Sequence, residues 1–244
     1  MPFTFLAHQA PVLPLVLLWP RRFDGVALCV GSMVPDFAYV AAGTSWGFVS
    51  HSAWGLAWFC VPVALVVSVA IRWSAPVVLG HLPRALRDDG ARLLGPTPPL
   101  LRTIVSAAIG AASHLLIDAC THRHGFVVAR VPGLRSAPLT VLGSPVPIYK
   151  LLQIPGSLVL AGLAVLCLRS LVRRGEAREL PVATAESRRW FVAVCAVGLV
   201  LAVAVAWWSR SMGGVPGLVF RVVTIGCVGV VVAAVAASPR MRDP

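Results

Sequence analysis

The chain has 244 residues, of which 58% are hydrophobic and only 12% are charged. A soluble domain carries about twice that charged fraction, and a water-soluble globule of this size would leave too much apolar surface uncovered. The composition therefore excludes an ordinary soluble domain and predicts an integral membrane protein. The net charge of +12 comes mainly from arginines that flank apolar runs. This placement indicates contact with membrane lipid, and no nucleic-acid partner is expected.

Seven apolar segments follow one another along the chain. The first, residues 5–19, is short and proline-rich, so it is expected to cross half of the bilayer or to lie in its interface. The others approach or exceed the ~20 residues that a spanning helix needs. They are residues 25–42, 51–71, 101–120, 148–171, 190–208 and 215–236. The sequence therefore predicts an all-α fold, a polytopic transmembrane helix bundle with six or seven membrane segments.

The connections between these segments predict a topology and three regions. Arginines concentrate in the loops 74–99 and 169–189, which the positive-inside rule assigns to the cytoplasm. The loop 123–147 then lies outside, although it also carries arginines. We predict a motif-bearing membrane domain at 1–171 that holds a metal site, a basic cytoplasmic loop at 172–189, and a C-terminal pair of transmembrane helices at 190–244 in the same bundle.

This topology brings six ionisable residues to one depth, toward the outer face of the membrane. These residues are spread over more than a hundred positions of the sequence, and unrelated residues would rarely reach the same depth. Ionisable residues inside a membrane mark functional sites. The residues are His8, Asp36, His51, His114, Asp118 and His122.

The strongest local signal is the run SHLLIDACTH, which places His114, Asp118 and His122 four residues apart. Each step of four turns a helix by about 400° and raises it ~6 Å, so the three side chains form one stripe. Two neighbours in the stripe can ligate one ion, and the third reaches it only if the helix ends or bends. Gly125 and the polar residues before it predict that the helix ends here.

Imidazole and carboxylate together favour a divalent metal ion, with Zn as the first expectation and Mn or Fe as alternatives. Such a site with an open position performs metal-assisted hydrolysis. Other interpretations remain open for single residues. His114 and Asp118 are also consistent with a hydrogen-bonded pair between helices, His51 with an interfacial histidine, and His8 or Asp36 with a helix cap.

The six cysteines are dispersed and contain no C-x-x-C pair, so the sequence predicts neither a disulfide framework nor a thiolate zinc site. Hydroxyls beside the histidines are candidates for orienting the imidazoles, and Lys150, the only lysine, is a candidate contact for an anionic headgroup or phosphate. An interfacial anchor is the simpler interpretation of Lys150. The supporting candidates are Ser50, Ser52, Ser113, Thr121 and Lys150.

Several stretches resemble a bacterial membrane family called domain of unknown function 4184. They are MPFTFLAHQAPVLPL, GSMVPDFAYV, HSAWG, GAASHLLIDACTHRHGF and PIYKLLQIPGSL, which together span residues 1–171. The family is in turn reminiscent of inner-membrane metal-dependent hydrolases and, more distantly, of zinc-dependent phospholipase C. The resemblance implies a multi-pass protein of the bacterial inner membrane. It also implies metal-ligand positions at His8, Asp36, His51, His114 and Asp118, with His122 close by.

The expected function is a metal-dependent hydrolase that acts on a lipid or phosphoester at the outer face, with Asp118 and His122 as its candidate catalytic residues. The alternative is a non-enzymatic membrane protein, a transporter or an assembly factor, in which the His/Asp cluster is structural. The absence of visible internal symmetry makes the transporter less attractive.

Overall fold

The computed structural model describes residues 4–45, 49–176 and 178–242, and within these ranges the chain is mostly helical. The α-helices are α1 Thr4–Ala7, α2 Leu13–Leu18, α3 Gly25–Gly31, α4 Val34–Phe37, α5 Ala53–Gly55, α6 Val61–Gly80, α7 Arg84–Leu93, α8 Leu100–Thr121, α9 Phe126–Arg130, α10 Ile148–Arg174, α11 Ala185–Trp208 and α12 Gly214–Ala237. A π-helical segment, Leu56–Cys60, joins α5 to α6, and 3-10 turns cover Ala38–Ala41, Pro132–Arg135 and Ser238–Arg240. Two short strands, β1 Leu139–Val141 and β2 Ser144–Val146, form a hairpin.

Five helical stretches in the described part of the chain are long and apolar enough to cross a membrane, judged by length and composition. They are Ala53–Gly80, Leu100–Arg130, Ile148–Arg174, Ala185–Trp208 and Gly214–Arg240. These stretches correspond to the last five predicted segments and indicate a membrane protein. The predicted total of six or seven segments is not confirmed.

The first two predicted segments are broken into short pieces. Residues 5–19 hold only α1 and α2, and residues 25–42 hold α3, α4 and a 3-10 turn. Proline lacks a backbone N–H and clashes with the preceding turn, so it favours the starts and ends of helices. Pro14 lies in the first turn of α2, Pro20 follows the end of α2, and Pro35 lies in the single turn of α4. These two segments are apolar, as predicted, but they form short helices and turns in place of a single long helix.

The chain divides into two compact units. The first comprises Met1–Pro35, Ser50–Ala64 and Pro99–Arg169, and the second comprises Asp36–Val49, Leu65–Pro98 and Ser170–Pro244. The predicted regions 1–171, 172–189 and 190–244 were defined by motifs and loops and not by packing. The two units do not test them, so they remain a prediction.

In the first unit, α3 packs closely against α8 through small residues. The buried face of α8 repeats every three or four positions and changes from small side chains to polar ones. Its members are Thr103, Ser106, Ala107, Gly110, Ala111, His114, Asp118 and Thr121. A Cβ atom at Gly110 would lie 2.3 Å from the Leu28 carbonyl oxygen, and one at Gly31 would lie 2.3 Å from that of Ala107. This close approach fixes the register between α3 and the polar end of α8.

A buried polar network caps α3 against α8. Asp24 is the N-cap of α3, and its carboxylate accepts hydrogen bonds from the Ala27 amide at 3.2 Å and the Thr103 hydroxyl at 2.9 Å. The Asp24 amide donates to Ser106 Oγ at 2.9 Å. Because these donors satisfy a buried carboxylate, Asp24 has a structural role in the helix pair.

Replacing Gly110 by Ala is expected to destabilise the protein by about 1–3 kcal/mol, because the added methyl group overlaps the Leu28 carbonyl. Thermal unfolding in detergent measures this change. Gly156→Ala in α10 is the matched control, since a Cβ there has no neighbour within 4 Å. Equal stability of the two variants would contradict the close α3–α8 contact.

In the second unit, α11 and α12 also meet at glycines. A Cβ at Gly198 would lie 3.1 Å from the Cα of Gly229. Toward the other end of α12, the buried guanidinium of Arg221 donates to the backbone carbonyls of Val40, Ala42, Ser209 and Met212. A charged side chain in an apolar helix is tolerated when its donors are satisfied in this way.

The segment before α6 starts with a capped turn and a change of helical pitch. Ser52 caps α5, because its hydroxyl accepts a hydrogen bond from the Gly55 amide at 2.9 Å. The π-helical Leu56–Cys60 comes next, and the buried Cys60 thiol donates to the Ser50 carbonyl at 3.6 Å. This contact holds the start of the helix against the residues that precede it.

The hairpin β1–β2 precedes α10. Leu139 pairs with Val146, Thr140 with Pro145 and Val141 with Ser144 in antiparallel register. Leu142 and Gly143 connect the strands, and both have positive φ, at 49° and 76°. Two central residues with positive φ define a type I′ turn.

Candidate metal centre

The site is built around the C-terminal end of α8. His114 and Asp118 lie one turn apart on the buried face of the helix, and α8 ends at Thr121. His122 is the C-cap residue, with extended backbone, and its amide still donates to the Asp118 carbonyl at 3.1 Å. Because the helix stops here, the His122 side chain can turn back toward Asp118.

Four imidazoles surround the Asp118 carboxylate. Oδ2 lies 3.3 Å from His114 Nε2 and 3.4 Å from His51 Nε2. Oδ1 lies 3.2 Å from His122 Nδ1 and 3.8 Å from His8 Nε2. All five residues belong to the first unit. A single carboxylate therefore serves histidines from the N-terminal turn, from the segment before α5 and from both sides of the end of α8.

The imidazole of His114 is held by a backbone carbonyl. His114 is fully buried, and its Nδ1 lies 2.8 Å from the Ser32 carbonyl oxygen. A carbonyl can only accept, so Nδ1 carries the proton and, in the neutral ring, Nε2 presents a lone pair toward Asp118. A lone pair facing an ionised carboxylate requires a cation or an extra proton between them. Carbonyl-oriented histidine is also the usual support of a metal ligand.

His8 and His51 complete this side of the cluster. The rings of His8 and His114 are stacked, with centroids 4.0 Å apart, and those of His51 and His114 meet at 5.5 Å and 64°. The Ser50 hydroxyl lies 2.9 Å from His51 Nδ1, so His51 directs its Nε2 toward Asp118. His8 is buried, whereas 35% of the His51 side chain is exposed, which leaves one edge of the cluster accessible.

His122 has a different set of contacts. The Gln153 side-chain nitrogen lies 3.1 Å from His122 Nε2, and the Thr121 hydroxyl lies 3.2 Å from Nδ1. An amide N–H donates, so with this orientation His122 Nε2 accepts and the ring proton is on Nδ1, facing Asp118 Oδ1. Its side chain is 32% exposed. His122 thus faces the carboxylate at the accessible edge of the cluster, with Nδ1 3.2 Å from Asp118 Oδ1.

The ligand atoms of the first unit lie close together. One ligand atom from each of His51, His114 and Asp118 lies within 4.8 Å of the others. Asp36 follows Pro35 within the single turn of α4 and is buried, but it is the first residue of the second unit. Tetrahedral zinc with bonds of about 2.0–2.1 Å places its ligands about 3.3–3.4 Å apart. The distances from Asp118 Oδ2 to His114 Nε2 and His51 Nε2, 3.3 and 3.4 Å, match this spacing. The donor set and spacing therefore fit one divalent cation.

The other supporting candidates have contacts of their own. The Ser52 hydroxyl caps α5, and the Ser113 hydroxyl donates to the Gly110 carbonyl at 2.7 Å within α8. The Thr121 hydroxyl donates to Ile117 at 2.9 Å besides its contact with His122. Lys150 is exposed at the start of α10. Of the predicted supports, Ser50 and Thr121 contact an imidazole directly, whereas Ser52 and Ser113 form hydrogen bonds within their own helices.

Two supporting groups around the cluster were not assigned their partners from sequence, whereas the Ser50 hydroxyl contacts His51 Nδ1, as its position beside the histidine predicted. The Ser32 carbonyl is a backbone group, and no side-chain pattern reveals it. Gln153 follows the buried Tyr149 by four residues, so helical periodicity places both on one face of α10 and offers a usable signal.

The cysteines are free among the described residues and take no part in the cluster. Burial, followed by the nearby Asp24 carboxylate, raises the pKa of the Cys29 thiol in the short helix α3 to about 12. A thiol in this state is a small hydrophobic side chain and not a metal ligand.

The family model described as Domain of unknown function (DUF4184) matches residues 1–239. The chain belongs to this family, which the motifs in residues 1–171 predicted. No curated protein and no solved structure matches the chain. The more distant likeness to inner-membrane hydrolases and phospholipase C gains no support from these comparisons.

Proposed function

We propose that this protein is a metal-dependent hydrolase of the bacterial inner membrane that acts on a lipid or phosphoester at the outer face. The observation that supports this proposal most is the Asp118 carboxylate, which lies 3.2–3.8 Å from four imidazole nitrogens. Two of these histidines, His8 and His114, are buried, and two, His51 and His122, reach the surface. A centre that is closed on one side and accessible on the other suits catalysis better than a purely structural site.

The residues that would hold the cation are His8, Asp36, His51, His114 and Asp118. Zn is the first candidate, with Mn or Fe as alternatives, because imidazole and carboxylate ligands suit all three. A bound divalent cation supplies Lewis-acid chemistry for ester hydrolysis. The chain itself contributes the fixed Nδ1–H of His114 through Ser32, and hence a defined direction for Nε2.

Asp118 and His122 are the candidate groups for proton transfer. His122 lies at the accessible edge, Gln153 holds its Nε2, and its Nδ1 faces Asp118 Oδ1 at 3.2 Å. A histidine oriented by a carboxylate and partly open to solvent has the geometry of a general acid or base. The Asp118 carboxylate would stabilise the protonated ring of His122, while water reaches the ring from one side only.

Purification from bacterial membranes followed by elemental analysis tests the proposal. We expect about one equivalent of a divalent metal per chain. We also expect chelator-sensitive hydrolysis in a panel of glycerophospholipids and soluble phosphomonoesters, and these two arms separate a lipid from a free phosphoester. Folded protein that carries no stoichiometric metal and gains no activity when Zn, Mn or Fe is added would exclude the hydrolase.

A structural His/Asp cluster is the second candidate, because the imidazole nitrogens of His51, His114 and His122 lie 3.2–3.4 Å from Asp118 and would form ion pairs with it when protonated. In a non-enzymatic membrane protein, a transporter or an assembly factor, protonated histidines would tie three parts of the first unit together. Chelator treatment distinguishes the two functions. Unchanged thermal stability after metal removal favours the structural cluster, whereas a lower unfolding temperature indicates a metal that stabilises the fold.

A further inference from the structure

The hairpin β1–β2 exposes an apolar surface that the fold of the first unit does not cover. Leu139 and Val141 are 52% and 53% exposed, and Leu142 at the tip is 101% exposed. The register places Leu139, Val141 and Val146 on one face of the ribbon, and Thr140 and Pro145 on the other. A two-stranded ribbon with no covering layer gains nothing from an apolar face in water.

The tip residue is also unfavourable for the turn that it forms. Leu142 has a φ of 49°, in the left-handed region, where a residue with a Cβ costs about 1–2 kcal/mol. Asn or Asp followed by Gly is the preferred pair in a type I′ turn. Gly143 follows this preference and Leu142 does not. Strain of this kind persists where the side chain has another use.

The position of the hairpin in the chain identifies its partner as lipid. Pro147 alone separates β2 from α10, one of the five helices capable of spanning a membrane. The hairpin therefore lies next to the N-terminal end of α10. A three-residue strand is about 10 Å long, so the tip of the hairpin lies within about that distance of the helix end. An apolar tip at this place meets the boundary between headgroups and acyl chains.

The charges around the hairpin agree with an anionic bilayer surface. Residues 119–150 contain four basic side chains and no acidic one: Arg123, Arg130, Arg135 and Lys150. Each basic residue near an anionic lipid surface contributes about 1 kcal/mol of attraction. The cations suit the phosphate layer, and the apolar tip suits the region just below it.

We infer that the hairpin Leu139–Val146 is a membrane-contacting element that inserts Leu142 into an anionic phospholipid surface beside the metal centre. Gln153, which contacts His122, lies only seven residues after Val146 on the same chain segment. The hairpin thus anchors the accessible edge of the cluster at the bilayer surface. This inference does not depend on a bound metal.

Photo-crosslinking in vesicles of phosphatidylglycerol and phosphatidylcholine tests the inference on the full chain. The photoreactive residue p-benzoylphenylalanine replaces Leu142, Val141 or Thr140, and mass spectrometry measures lipid adducts. We expect about tenfold more lipid adduct at 142 than at 140, whose side chain lies on the opposite face of the ribbon. Equal yields at both positions, or adducts to a second copy of the protein at 142, would overturn the inference.

A second variant separates lipid contact from hairpin folding. Leu142→Asn restores the preferred Asn-Gly pair and so keeps the turn, while it removes the apolar tip. We expect lipid adducts from position 141 to fall several-fold in this background, with unchanged thermal unfolding. Undiminished adducts with the asparagine tip would show that Leu142 does not insert.

Discussion

Asp118→Asn is expected to lower the metal content of the purified protein at least tenfold. Asparagine keeps the shape of the side chain but removes the negative charge that four imidazoles approach. Loss of an anionic ligand weakens a dication site more than loss of a supporting hydrogen bond, which by itself costs about 10–100-fold. Elemental analysis of folded, monodisperse protein measures the effect, and the hydrolysis proposed above is expected to fall in parallel.

His81→Gln is the matched control for this experiment. His81 lies in the second unit, where its Nδ1 contacts the Val77 carbonyl at 2.8 Å and its ring stacks on Phe191. This variant also removes an imidazole, but it should leave the metal content unchanged. A metal content in Asp118→Asn equal to that of the wild-type protein would show that the centre is not built on this carboxylate. Loss of metal in both variants would indicate a general effect on folding.

Arg221→Met is expected to lower the unfolding temperature by about 10 °C, since a change of 1 kcal/mol shifts a chain of this size by about 2–4 °C. The guanidinium of Arg221 donates to four backbone carbonyls in the second unit. Methionine fills the space but leaves these carbonyls without a donor, and each stranded buried group costs about 1–3 kcal/mol. Differential scanning fluorimetry in detergent gives the readout.

Arg210→Met tests whether the effect belongs to the buried position. Arg210 lies near the same turn, but it is exposed, and its guanidinium contacts only the Trp207 ring and carbonyl among the described groups. An exposed cation–π contact contributes about 0.5–1 kcal/mol, so a small shift is expected. Similar losses in the two variants would mean that the carbonyl contacts of Arg221 do not carry the stability.

Helix content and the five long membrane helices could be predicted from the sequence, because apolar runs near ~20 residues have few alternative structures. The first two segments could be predicted only in part. The prolines of residues 5–19 already indicated a segment that crosses half of the bilayer or lies in its interface, but the division of residues 25–42 was not predicted. Pro14 lies in the first turn of α2 and Pro35 in the single turn of α4, and tertiary packing decides how far each short helix continues. Hydropathy averages over a window and does not register where a single missing amide ends a helix.

The cluster was predictable in part. The spacing of His114, Asp118 and His122 fixes them on one stripe of α8, and the predicted helix end after this stripe agrees with the structure, where α8 stops at Thr121. The approach of His8 and His51 required a topology argument, because nothing local connects them to α8. The Ser32 carbonyl that orients His114 could not be predicted, since its position depends on how closely α3 approaches Gly110.

The π-helical segment Leu56–Cys60 has an evolutionary consequence. A π turn contains one residue more than the α turn that it replaces, which is the form left by inserting a single residue into an existing helix. Deleting one residue there would turn the preceding segment, with Ser50 and His51, by about 100° relative to α6. We therefore expect family members that retain a histidine at position 51 to tolerate substitutions in this segment but no length change.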